Sequence, residues 1–134
     1  MTNSMAKLIY CATPSRIANV TSDILKYVSD SGQAPLHPFC ALPYEFFEGG
    51  KIGREKTIEF CLRLIDAADE LWLFGVSKGT LIELNYAHDI GTPIQLLLPK
   101  YDPKWEEHAS LLKNNDMPKE VDLLYKIVRL CNVD

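Results

Sequence analysis

The feature that most limits what this chain can fold into is an alternation. Short apolar runs take turns with longer segments whose apolar residues recur every three or four positions. "KLIYCA" (Lys7 to Ala12) is a strand-type run. "TPSR" interrupts it, with Thr13 as a helix cap and Pro14 at the first helical position. Ile17, Val20, Ile24, Leu25 and Val28 follow at helical spacing, up to Gly32. "APLHPFC" (Ala34 to Cys40) reads as extended, and its prolines, which cannot donate to a ladder, make it an edge strand or a strand end. The loop "ALPYEFFEGGKIG" leads to a helix over Arg54 to Ala67. "DELWLFG" (Asp69 to Gly75) is a buried strand, "VSKG" a turn, and Thr80 to Ile90 a third helix closed by Gly91. "TPIQLLLP" is a fourth strand, and amphipathic helices follow near Pro103–Lys113 and Pro118–Cys131.

Strands alternating with helices predict a doubly wound α/β fold: a mostly parallel, four- or five-stranded sheet with helices on both faces. Right-handed crossovers leave few topologies, and the flavodoxin-like order 2-1-3-4 fits. Such sheets bind ligands beyond the carboxyl ends of their strands, where the strand order reverses. That rule selects three segments: "ATPSR", "FCALPYEFF" and "GVSKGTLIE".

Composition narrows the function classes. The 134 residues read as one domain over 1–134, at 47% hydrophobic and 24% charged. No apolar run is long enough for a membrane span, and "MTNSMAK" lacks an apolar signal core, so the expectation is a cytoplasmic protein. A net charge of −4 argues against polymeric nucleic acid as a partner, though not against a small anionic ligand. Cys11, Cys40, Cys61 and Cys131 are scattered, form no zinc spacing, and read as small hydrophobes. No dinucleotide or Walker-type glycine loop is present. No metal and no cofactor is expected.

Glu83 supports two readings. Thr80-x-x-Glu83 fits a capping box, in which Thr80 and Glu83 satisfy each other's backbone amides. Alternatively, a carboxylate early in a helix at a strand's carboxyl end can attack an anomeric carbon and form a covalent glycosyl intermediate. A nucleobase leaving group lightens the demand for an acid, because a ring nitrogen can take the proton.

"IYCATP" (Ile9 to Pro14) and "AADELWLFG" with "SKGTLIELNYAHDIGTPI" resemble the two signatures of the nucleoside 2-deoxyribosyltransferase superfamily, in particular a branch of small proteins that are often phage-associated. The likeness runs from about Leu8 to Leu97. It implies a flavodoxin-like fold, and cleavage or transfer at the N-glycosidic bond of nucleosides or nucleoside monophosphates. It also implies homo-oligomers, with Glu83 as nucleophile. Cys61 falls where the resemblance implies an aspartate that positions the nucleophile or transfers a proton, and Thr13 replaces a glycine. Those departures leave open a hydrolase, a relative with another substrate, or a non-catalytic protein that sequesters or senses a nucleotide.

Further candidates come from the loops around the expected pocket. Thr13, Ser15 and Arg16 offer amides, hydroxyls and a guanidinium for a phosphate, or form a plain cap with a solvated arginine. Tyr10 and Ala12 stand at the end of the first strand. Phe39, Tyr44, Phe46 and Phe47 can stack on a base or plug their loop onto the body. His37, between prolines, either donates to a leaving base or is structural. Arg54, Thr57 and Ile58 share the helix side of Cys61. Ser77, Lys78 and Gly79 lie in the third turn. Trp72 reads as core, Asp69 and Glu70 as structural, and His88 and His108 as bystanders.

Overall fold

The computed structural model describes residues 6–131, so the first five residues of the polar opening segment lie outside it. β1 (Leu8–Ala12), β2 (Ala34–Leu36), β3 (Glu70–Leu73) and β4 (Ile94–Leu96) form one sheet. All three pairings are parallel and the order is β2-β1-β3-β4. The topology is flavodoxin-like, as the alternation predicts, with four strands.

β1 shows why the strand runs are apolar throughout. Ile9 and Cys11 point to one face, against Ile24 and Val28 of α1 (Thr21–Asp30) and Trp72 and Phe74. Tyr10 and Ala12 point to the other, against α3 (Gly53–Ala67), α4 (Lys78–Asp89), α5 (Trp105–Asn115) and α6 (Pro118–Cys131). A parallel strand covered on both faces has no side to give to water. Among the described residues no helix is long and apolar enough to cross a membrane.

Three boundaries differ from the sequence reading. Thr13 caps no helix: Ser15–Val20 is a 3₁₀ segment without a side-chain cap, and the α-helix starts at Thr21. The extended stretch from Ala34 ends at Leu36, because Pro38 serves as the first residue of a one-turn helix, α2 (Pro38–Ala41), capped by His37. α4 starts at Lys78 with Ser77 as its cap. β2 is an edge strand, as its prolines indicate. The Ala34 amide bonds inward to the Lys7 carbonyl, which turns Pro35 outward.

The amino-terminal end of the sheet is fastened by polar groups. Asp69 accepts from the Leu8 amide, and Glu70 accepts from both Lys7 and the Trp72 indole. These are structural roles, as the sequence suggests.

Candidate functional site

At the opposite, carboxyl end of the sheet, the 3₁₀ segment, α2, the 43–52 loop, α3 and the start of α4 surround a cavity of about 430 Å³. Glu83 lines it from the second turn of α4 and is 5% exposed. The capping-box reading of Glu83 is overturned. Ser77 accepts from the Thr80 amide and Thr80 Oγ1 accepts from the Ser77 amide, so Ser-x-x-Thr one turn earlier closes the helix. Thr80 also donates to the Gly75 carbonyl, which fixes the turn leaving β3.

Freed from the cap, Glu83 meets the end of β1. The Tyr10 hydroxyl donates to Glu83 Oε2 at 2.9 Å. Among the described residues no hydrogen bond of ordinary geometry reaches Oε1. Burial pushes the Glu83 carboxyl up to about 7, and its contacts with Tyr10 and Cys61 only partly oppose that rise. Burial, and then the Glu83 charge, raise the Tyr10 hydroxyl well above its usual range, so Tyr10 stays a donor. The same two causes push the Cys61 thiol up to about 12, which leaves it neutral and a poor acid.

The walls combine apolar and hydroxyl groups. Arg54, Thr57, Ile58 and Cys61 all line the cavity from α3, as their shared helix side predicts. Thr57 donates back to the Gly53 carbonyl. Thr13, Ser15, Ser77, Gly79, Phe39 and Tyr44 line it as well, so the three segments selected by strand order do meet. A Cβ at Gly79 would meet Ile58 at 3.6 Å, an ordinary contact, so the packing of α4 on α3 does not require glycine there.

Six candidates do not line the cavity, each for a visible reason. Tyr10 is fully buried and acts on Glu83 from behind. Ala12 is packed in the core. Arg16 pairs with Asp102, bonds the Val76 carbonyl and donates to His108, so its guanidinium is engaged within the protein and does not line the cavity. His37 is a buried cap: Nδ1 accepts from the Phe39 amide, which leaves the ring proton on Nε2 to meet Thr13 Oγ1. Burial lowers this histidine to about 4, so at neutral pH it is not an imidazolium that could protonate a leaving base. Phe47 packs edge-on against Phe60. Lys78 is exposed, 3.8 Å from Asp116. Phe46 is exposed, and neither it nor Phe47 closes the cavity.

The sequence reading missed one carboxylate. Glu48 lines the cavity from the 43–52 loop, 3.6 Å from Arg54. The loop is held by amide bonds from Phe46 and Phe47 to Pro43 and from Gly49 to Tyr44. Its Gly-Gly pair was the available signal. A Cβ on Gly49 would strike the Tyr44 ring at 2.3 Å, and one on Gly50 the Glu45 carbonyl at 2.4 Å. The backbone clash makes Gly50 the stricter requirement of this tight fold, which carries Glu48 with it.

Fold and site together define a flavodoxin-like α/β protein whose carboxyl-edge cavity is floored by a buried carboxylate. The chain matches no protein-family model, no curated protein and no solved structure.

Proposed function

We propose that this protein cleaves, or exchanges, the N-glycosidic bond of a nucleoside or nucleoside monophosphate, with Glu83 as the nucleophile. The observation that carries the reading is the state of Glu83: one oxygen is fixed by Tyr10, Cys61 lies against the group, and it lines a cavity. A rigid, desolvated carboxylate suits attack on an anomeric carbon whose transition state is positively charged. The lining of the cavity supports this reading. Phe39 and Tyr44 offer ring faces for a base, Thr13, Ser15 and Ser77 offer hydroxyls for a sugar, and Arg54 offers a cation for a phosphate. The "IYCATP" and "SKGTLIELNYAHDIGTPI" resemblance points to the same chemistry. Self-association and residence in the cytoplasm belong to this reading too.

The test is to incubate the protein with the common ribo- and deoxyribonucleosides and their 5′-monophosphates and to measure free base by chromatography. Base should appear with the native protein and not with Glu83→Gln. No base from any substrate at high protein concentration would refute catalysis.

A second reading is a non-catalytic protein that sequesters or senses a nucleotide. It is favoured by Cys61, a neutral thiol where the resemblance implies a carboxylic acid. On that reading calorimetry finds a nucleotide ligand, and Glu83→Gln leaves its affinity within a few-fold.

A further inference from the structure

The glycosyl intermediate must be resolved by something, and the two carboxylates of the cavity differ in where they stand. Glu83 is on the floor, almost wholly enclosed, on α4. Glu48 belongs to a surface loop, and its side chain is 31% exposed while still lining the cavity. Attack from the floor sends the base out on the opposite side of the sugar, toward the mouth. The water that releases the sugar then enters from the side the base has vacated. The group that takes its proton must stand there. Cys61 lies beside Glu83 and its thiol is too weakly acidic to cycle a proton at neutral pH. His37 is turned to Thr13 and the Phe39 amide. Arg54 accepts no proton.

We propose that Glu48 is the general base that activates water in this site, and that it makes the protein a hydrolase rather than a transferase. The proposal rests on the N-glycosidase reading above. In the first step a Glu83 oxygen forms a bond to the anomeric carbon while the carbon–nitrogen bond breaks. Its electron pair leaves with the base, whose ring nitrogen takes a proton from solvent. In the second step Glu48 accepts a proton from water and the water oxygen bonds to the anomeric carbon. The bond to Glu83 breaks, and its electron pair returns to the carboxylate. Glu48 then loses its proton to solvent. Arg54, 3.6 Å from Glu48, holds the carboxylate against the cavity wall.

The experiment compares Glu48→Gln with the native protein on whichever nucleoside or 5′-monophosphate releases base fastest, by rapid quench. Sugar attachment needs only Glu83, so the variant should release a burst of about one base per protein. Steady turnover should then fall on the order of 10²–10⁴-fold, the usual worth of a general base. The sugar should be found on the Glu83 peptide by mass spectrometry, and added azide, which needs no deprotonation, should restore turnover as a glycosyl azide. Undiminished turnover by Glu48→Gln, or loss of burst and turnover alike with no azide rescue, overturns the assignment while the nucleophile reading stands. No base from the native protein, or equal release by Glu83→Gln, removes the reading beneath it.

Discussion

Burying Glu83 has a cost that can be measured without any substrate. The carboxyl sits at about 7 in the folded protein against an ordinary 4.5, a rise caused first by burial. Below 4.5 the group is protonated in both states and contributes nothing to the pH dependence. Between 4.5 and 7 the unfolded chain gives up the proton while the folded chain keeps it, so stability falls as pH rises. At about 1.4 kcal/mol per unit, the loss is complete above 7 and amounts to roughly 3 kcal/mol. His37, lowered to about 4 by burial, acts with the opposite sign over much of the same range. Its contribution is present at neutral pH and is lost as pH falls from 6.5 toward 4. The native protein alone therefore shows a muted profile, and the informative quantity is a difference. Glu83→Gln removes the ionisable group and keeps the shape. Urea denaturation of both proteins between pH 4.5 and 8 should show the variant gaining on the native protein by about 3 kcal/mol as pH rises. In a domain of this size that is about 10 °C in Tm. A difference that stays flat across this range would refute the claim that Glu83 is buried with a raised pKa.

Three further outcomes are expected. Tyr10→Phe removes the only hydrogen-bond donor on Oε2 among the described residues. A bond to a charged group is worth ~1.5–3 kcal/mol, so the Glu83 carboxyl should climb a further one to two units or so, read by carbon-13 NMR titration. Asp102→Ala strands the Val76 amide and the Arg16 guanidinium and should cost about 3 kcal/mol in urea denaturation, somewhat less than a fully enclosed pair because Arg16 keeps partial access to water. Gly50→Ala should destabilise more than Gly49→Ala, by roughly 1–3 kcal/mol, because a backbone carbonyl must move in the first case and only an exposed tyrosine ring in the second.

The sequence disclosed what depends on local pattern. Apolar runs marked the four strands, and helical spacing put Arg54, Thr57, Ile58 and Cys61 on one side of α3, where they all line the cavity. The strand-order rule located the pocket without any motif. Failures arose where two local solutions compete, or where a partner lies far along the chain. Thr80-x-x-Glu83 fits the capping pattern on paper, but the helix starts one turn earlier on Ser77, and Glu83 instead takes the Tyr10 hydroxyl, 73 residues away. Arg16 resembles a free anion ligand until Asp102, 86 residues on, takes it. Pro38 suits both an extended stretch and a helix start, and the His37 ring tips the balance by capping the Phe39 amide. Glu48 went unnoticed because its place depends on close backbone approach, which two glycines record only indirectly.

The outward turn of Pro35 reaches beyond the single chain. The rim of a sheet invites a neighbouring strand through its row of donors and acceptors. On β2, only three residues long, the outward-facing residue has a carbonyl to offer and no N–H. Copies of this protein that come together are thereby steered away from zipping their sheets edge to edge along β2. The rim that β2 forms is thus poorly suited to fibre-like growth of the sheet from that side.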